Sequence, residues 1–335
     1  MPLNPKVFLA RDALDPKNVK QLPTRDGYGE GLVLAGDHNK NVVVLCADLT
    51  ESTRSLAFKQ KFPDRFIQLG VSEQSMASIA AGLAMAGKVP FISSYAMFSP
   101  GRNWEQIRTT VCLNDVNVKV AGAHAGVSVG PDGATHQAIE DIAIMRPIAN
   151  MRILVPCDAL ETRKATLAAA GSEGPLYIRF AREKTPLFTT EKTPFFIGKA
   201  GIFFEPKKKT VDVAIIACGP LTHEALLAAQ KLEAQGKSVY VVNCPSIKPL
   251  DEKLIAEVAK KSGAIVTVEE HQITGGLGGA VAEFLGRTCP VPMEFIGVQN
   301  HFGQSGTPRE LLEYFRLTAP WIEKAALRAI KRKLS

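Results

Sequence analysis

Short β-branched runs alternate with amphipathic segments of helix length along the whole chain, and this rhythm restricts the fold more than any other feature. Parallel strands need a crossover between them, usually a helix, and sheets built this way are covered on both faces. The pattern predicts the α/β class, with two doubly wound, mostly parallel sheets. In the first part the candidate strands are NVVVLCADL from Asn41, RFIQLG from Arg65, VPFISSYA from Val89, NVKVAGAH from Asn117, RILVPC from Arg152 and PLYIRF from Pro175. Residues 183 to 210 break the rhythm with Pro, Thr and Lys and read as a crossing segment. Beyond it, DVAIIACG at Asp212, SVYVVNC at Ser238, AIVTVEE at Ala264 and VPMEFIGV at Val291 alternate with helices near 221–235, 251–262, 277–286 and 307–316. A terminal amphipathic helix is expected from Ala319 to Lys333. The expected division is a first domain over 1–190, a linker over 191–210 and a smaller second domain over 211–335.

Two domains require two cores, and 335 residues, 46% of them hydrophobic and 22% charged, are enough to build them. No run approaches the roughly 18 uninterrupted apolar residues of a membrane helix, and the opening MPLNPKVFLARDALDPK lacks a signal peptide's apolar stretch and cleavage site. A soluble, cytoplasmic protein with no membrane partner is expected. The six cysteines, Cys46, Cys112, Cys157, Cys218, Cys244 and Cys289, are far apart and form no Cys-x-x-Cys pair, so they read as buried thiols. The net charge of +7 is densest at Lys207 to Lys209 and at Lys331, Arg332 and Lys333. With only two Trp and five Tyr there is no basic face interleaved with aromatics, and no nucleic-acid partner is expected. A general pull on anionic substrates is the simpler use of the charge.

Two glycine-rich motifs resemble nucleotide loops. Gly82-Leu-Ala-Met-Ala-Gly87-Lys88 has Val89 where a phosphate-binding loop needs a hydroxyl for magnesium, and its glycines close a helix instead of following a strand. Gly275-Gly276-Leu-Gly278-Gly279 follows a strand and opens a helix, but Val281 occupies the last small-residue position and no acidic ribose anchor follows. A helix C-cap and a tight turn, respectively, are the favoured readings.

Two other stretches carry chemistry. In Gly70-Val-Ser-Glu73-Gln-Ser-Met76 a strand gives way to an alanine-rich helix, with Ser72 as the expected N-cap and Glu73 in the first turn, where a carboxylate complements the helix dipole. The loop from His124 to Gln137 follows a strand and holds His124, Asp132 and His136 among several glycines. The spacing fits no common zinc pattern and no cysteine is near, so polar contacts to a substrate's hydroxyls rank above a metal.

Together these residues resemble the C-terminal half of transketolases, their pyrimidine-binding and C-terminal domains, over nearly the whole chain. The resemblance rests on Ala47-Asp48-Leu49-Thr50-Glu51-Ser52, the Ser72-Glu73 helix start, the aromatic strand end at Tyr95 and Phe98, the His124-x₅-Gly130-x-Asp132-Gly133-x-Thr135-His136 loop, and Arg182, in that order. It implies a transferase of carbohydrate metabolism in the pentose phosphate pathway, moving a two-carbon ketol group between sugar phosphates with thiamine diphosphate. Glu73 would hydrogen-bond the aminopyrimidine ring and favour the imino tautomer that takes up the thiazolium proton. Tyr95 and Phe98 would wall the pyrimidine, with stacking worth about 0.5–1.5 kcal/mol beyond burial, and Asp48 would join the cofactor site. By the same resemblance His124 and Asp132 would contact donor hydroxyls, His136 would sit near the reacting oxygen, and Arg25, Ser52 and Arg182 would bind the sugar phosphate. Guanidinium suits that anion because its donors form a bidentate fork.

The chain departs from the family in two places. Ser99-Pro-Gly-Arg102-Asn103 lacks a further aromatic of full-length transketolases, and the diphosphate motif, Gly-Asp-Gly followed by Asn, is absent. The resemblance therefore implies a split enzyme. A separate N-terminal subunit would supply the phosphate ligands and the Mg²⁺ or Ca²⁺ ion, with a self-dimer of this chain inside an α2β2 heterotetramer. The alternatives are the β subunit of a 2-oxo acid dehydrogenase, a deoxyxylulose-phosphate synthase-like enzyme, a noncatalytic binding or regulatory paralogue, and a nicotinamide dehydrogenase using the Gly275 loop.

Overall fold

The structure, a computed structural model, describes residues 3–206, 208 and 210–334; of the basic run at Lys207 to Lys209, Lys207 and Lys209 lie outside the described residues. The first half runs β1 (Gln21–Pro23), α1 (Thr24–His38), β2 (Val42–Cys46), α2 (Leu56–Lys61), β3 (Phe66–Gln68), α3 (Glu73–Met85), β4 (Val89–Tyr95), α4 (Trp104–Gln106), β5 (Lys119–Ala123), α5 (Asp141–Met145), β6 (Arg152–Leu154), α6 (Ala159–Ala170), β7 (Leu176–Arg179) and β8 (Lys184–Pro186). The second runs β9 (Gly201–Phe204), β10 (Val213–Ala217), α7 (Leu221–Ala234), β11 (Val239–Asn243), β12 (Ser246–Lys248), α8 (Glu252–Ser262), β13 (Ile265–Gln272), α9 (Leu277–Thr288), β14 (Met293–Val298), α10 (Pro308–Tyr314) and α11 (Ala319–Leu334).

The protein is α/β, with two mostly parallel sheets. The seven-stranded sheet has the order β12-β6-β7-β5-β4-β2-β3 and the five-stranded sheet β14-β13-β10-β11-β9. Every residue of β2, β5, β10 and β11 is buried, as expected of parallel strands with helices on both faces. The parallel rhythm ends at the antiparallel edges, β12 on β6 and β9 on β11. β9 lies inside the stretch expected to be a linker. It pairs there because β11 would otherwise present an unpaired edge. One buried apolar cluster lies within the first half around Tyr28, Val44 and Ile178, another is centred on the second half around Ile215, Val241 and Ile322, and a third joins the two, running from Val43, Met76 and Ile92 through Ile153 and Tyr177 to Ile216, Val258 and Phe284.

α1 carries four glycines in 15 residues, each less favourable in a helix than alanine by about 1 kcal/mol. Packing against α6 explains two of them. A Cβ on Gly27 would lie 1.8 Å from the Ala159 carbonyl oxygen, and one on Gly31 would lie 2.6 Å from Thr166 Cβ, so α1 can approach α6 only because those side chains are missing. The Thr24 hydroxyl then fixes the start of α1, accepting from Ala181 N at 2.8 Å and donating to Ala181 O at 3.1 Å. This brings Arg25 and Arg182 to the same end of the sheet.

No helix among the described residues is long and apolar enough to cross a membrane. The close approach of α1 to α6 makes opposite predictions for two glycine-to-alanine changes. Gly27→Ala should cost about 1–3 kcal/mol by overpacking. Gly286→Ala, in α9 with nothing within 4 Å of the added carbon, should gain about 0.5–1 kcal/mol. Chemical denaturation of the purified chain reads both, and equal midpoints would refute the packing account.

Candidate active site at the carboxyl ends of the first sheet

Ligand sites of doubly wound sheets form where strands end, and here β2, β3, β4, β5 and β7 deliver their following residues to one edge. β4 sends alternate side chains to opposite faces. Ser93 meets Tyr28 of α1, its Oγ 2.6 Å from the phenol oxygen, whereas Ser94 donates to Glu73 Oε1 of α3 at 3.3 Å. Ser72 is the N-cap residue of α3 but makes no cap hydrogen bond; its hydroxyl donates instead to Leu69 O at 2.8 Å. Glu73 is the first residue of α3 and is 2% exposed. Among the described residues its carboxylate has only long side-chain contacts, to Ser94 and to Arg102 at 3.9 Å, while Asn103 Nδ2 holds its backbone carbonyl at 3.0 Å.

From Glu73 a run of ring contacts leads across the edge. Arg102 lies over Phe98, 5.0 Å from the ring centre. Phe98 stacks with Tyr95 at 6.0 Å, and Tyr95 stacks on His124 at 3.9 Å. The His136 ring stands edge-on to Phe98 at 5.4 Å and to Tyr95 at 6.3 Å. Where the sequence lacks a further aromatic, the ring of Phe98 is thus covered by a guanidinium.

His124 turns the chain out of β5 with φ of 56°, an uncommon conformation for a residue with a side chain. Burial first, then the charges of Arg25, Arg182 and Arg54, push its pKa down to about 3, so the ring is neutral near pH 7. Arg25 Nη1 lies 3.5 Å from His124 Nε2. A guanidinium can only donate, so Nε2 accepts and Nδ1 carries the proton. That Nδ1 and Arg25 Nε are both buried without a hydrogen-bond partner. Leaving a buried donor unpaired costs about 1–3 kcal/mol, and both donors are free to pair with a ligand group. Burial, followed by the charge of Arg54, lowers the pKa of Arg25.

The remaining expected residues take definite places. Ser52 meets Arg25 through its backbone carbonyl, at 3.1 Å, and not through its hydroxyl. Arg182 and Asp132 pair with each other at 3.2 Å, and Arg182 also reaches Val129 O and Glu183. Asp48, just past β2, is taken up by Gln68, whose amide donates to Oδ1 at 3.3 Å. No hydrogen bond or ring contact joins Asp48 to the aromatic run among the described residues. Sequence reasoning passed over Arg54, Arg102 and Asn103. Arg54, paired with Asp26 at 2.6 Å, follows Ser52 by two residues and was open to notice; the other two act through tertiary contacts without a local signature.

The Gly275 loop is already filled. Glu269 accepts from Leu277 N at 2.7 Å and Gly278 N at 2.8 Å, so the chain's own carboxylate occupies the N-terminus of α9, where a dinucleotide's phosphates would lie. A cavity of about 600 Å³ lies between β8, α7, α10 and the start of α11, and its lining includes none of Glu73, Tyr95, His124 and His136. The two unpaired donors lie at the aromatic edge and not in this cavity.

Comparison with known proteins identifies the family. Residues 20–186 match the family described as transketolase, pyrimidine binding domain, and residues 204–322 match transketolase, C-terminal domain. The chain is 43% identical over 312 residues to a putative transketolase C-terminal section of Methanocaldococcus jannaschii, covering 92% of this chain and 96% of that one. It is 38% identical over 309 residues to a 6-deoxy-6-sulfo-D-fructose transketolase subunit of a Clostridium species, covering 92% and 95%. A solved structure titled split gene transketolase, inactive beta4 tetramer, superposes with a TM-score of 0.86 at 44% identity, covering 93% and 99%. The chain belongs to the transketolase family, of which it carries the pyrimidine-binding and C-terminal domains.

Proposed function

We infer that this chain is the C-terminal subunit of a split transketolase, active in cytoplasmic sugar-phosphate metabolism. It works with an N-terminal subunit that holds the diphosphate of thiamine diphosphate and its Mg²⁺ or Ca²⁺ ion. The observation that carries this reading is the unbroken run of contacts from Glu73 through Arg102, Phe98, Tyr95 and His124 to Arg25. It sets a carboxylate beside Arg102 at one end, aromatic faces in the middle and the Arg25 guanidinium at the other.

The residues fit the cofactor's pyrimidine end. Glu73 is buried, yet among the described residues its carboxylate has only contacts of 3.3 and 3.9 Å and keeps capacity for a short hydrogen bond to a ring nitrogen. Tyr95 and Phe98 are only partly buried and offer ring surface beside it. Thiamine diphosphate, when bound, supplies the electron sink for breaking and making a carbon–carbon bond beside a carbonyl. Glu73 would hydrogen-bond the pyrimidine nitrogen and share its proton, in a site whose burial keeps water from competing for it. Asp48 borders the cofactor pocket. His124, neutral and protonated on Nδ1, offers that hydrogen to a donor hydroxyl, and Asp132 accepts one. His136, standing edge-on to Phe98, moves a proton at the reacting oxygen. Arg25 and Arg182, with Ser52 beside them, bind the phosphate.

The two-chain assembly, a self-dimer flanked by two partners as α2β2, is supported by the coverage of 96% and 99% against a C-terminal section and a split-gene chain. A half-enzyme reading also accords with that neighbour being titled inactive as a tetramer of its own kind. The relative named for a 6-sulfo sugar argues for a second reading of the anionic tail, since sulfonate and phosphate present similar oxygens to a guanidinium fork.

The test is reconstitution with a transketolase subunit that bears the diphosphate motif, assayed with fructose 6-phosphate, 6-deoxy-6-sulfofructose and pyruvate. Ketol exchange is expected with a sugar donor, whereas pyruvate turnover without exchange would sink the assignment. Glu73→Gln should lower kcat by about 100-fold or more while the complex still assembles. Arg182→Ala should raise KM for the phosphorylated donor by about 10-fold or more with kcat nearly unchanged.

A further inference from the structure

The loop carrying His124, Asp132 and His136 has little capacity to shape itself. Gly126, Gly130 and Gly133 all have positive φ, at 91°, 83° and 74°, and the short helical turn over Val127–Asp132 is kinked at Gly130. Glycine in this region brings freedom and no side chain to pack. Its internal ties include Gly126 N to Ala138 O at 2.8 Å and Gln137 Nε2 to Val127 O at 3.0 Å.

Further support comes from the second sheet. Glu270, on β13 and 4% exposed, accepts from Ser128 N at 2.6 Å. Ser128 stands four residues after His124 and four before Asp132. The carboxylate also passes so close to Gly126 that a Cβ there would lie 2.3 Å from Glu270 Oε1. Arg179 Nη2 fastens the same strand to the loop's far end, donating to Glu270 O at 2.8 Å and to Ala138 O at 3.1 Å. Gln137 Nε2 adds a bond to Gln304 O at 2.9 Å. Burial pushes the Glu270 pKa up, opposed by Arg179 and by the donors of Ser128. An ionised acceptor binds a backbone N–H more strongly than a neutral one.

We propose that Glu270 is a positioning residue. By gripping Ser128 from the second domain it sets the placement of His124, Asp132 and His136, so the C-terminal domain shapes the substrate site. This role rests on the transketolase reading for its purpose, but its geometry can be tested without it.

The first measurement is amide hydrogen exchange on the full chain. Glu270→Ala should speed exchange across residues 126–137 by about 10-fold or more, with β5 and β13 still protected. Glu270→Gln, which keeps an oxygen for Ser128 N–H, should restore most of the protection. If the alanine variant does not fold, Glu270→Asp keeps a charge beside Arg179 while withdrawing the oxygen from Ser128, and should speed the loop likewise. Unchanged loop exchange in a folded Ala or Asp variant overturns the proposal, as does faster exchange spread evenly over the second sheet. In the reconstituted complex, Glu270→Ala should raise KM for the sugar donor by about 10-fold, with rescue by Gln. A wild-type complex without ketol exchange would sink the transketolase reading and leave the exchange result to decide the role of Glu270.

Discussion

Much of the molecule's organisation depends on keeping one guanidinium charged in its interior. Arg179 is 4% exposed, and burial alone would push its pKa down, but Asp141 above all, with Tyr177 and Glu270, holds it above the ordinary value. Asp141 Oδ2 accepts from Arg179 Nε at 2.8 Å and from the Tyr177 hydroxyl at 2.7 Å. A buried charge needs a counter-charge and hydrogen bonds, and Arg179 finds both, although Asp141 Oδ1 is left without a hydrogen-bond partner among the described residues. Here that requirement draws α5, the end of β7, the loop after β5 and β13 of the second sheet to one point. The constraint thereby becomes a fixed relation between the two sheets.

The functional edge makes the opposite use of burial. Near Arg179 the donors find acceptors; near His124 and Arg25 two donors do not. An environment that keeps an imidazole neutral beside three guanidiniums favours an incoming anion or hydroxyl over a cation. The net charge of +7 gave only a faint indication of this polarity. Its effect is local, because few of the 40 basic residues face the site.

β2 and β10 could be read from the sequence because they are buried on both faces and appear as unbroken apolar runs, while β5 opens on the buried Lys119 and β11 closes on Asn243. β9 and β12 escaped notice because they sit at antiparallel edges, where pairing depends on the neighbouring strand more than on composition; β3 and β6 are just as short and were legible. Glu73 and the histidine loop were visible as residue types at strand ends. Arg102 and Asn103 were not, since what distinguishes them is a ring beneath one and a helix carbonyl beside the other. The glycines of α1 read locally as poor helix formers and make sense only against their neighbours, Gly27 and Gly31 against α6, Gly29 against Arg54 and Gly36 against Phe58 and Phe62.

The short strand β12 leaves the second half of the chain to pair with β6 of the first, and Val155 N donates to Pro245 O at 2.7 Å beside it. A segment sewn into its neighbour's sheet, above a continuous apolar cluster, ties the halves against swinging apart as domains joined by a flexible hinge do. Melting either half would strip the other of an edge strand and of core contacts, which favours loss of both in a single cooperative event.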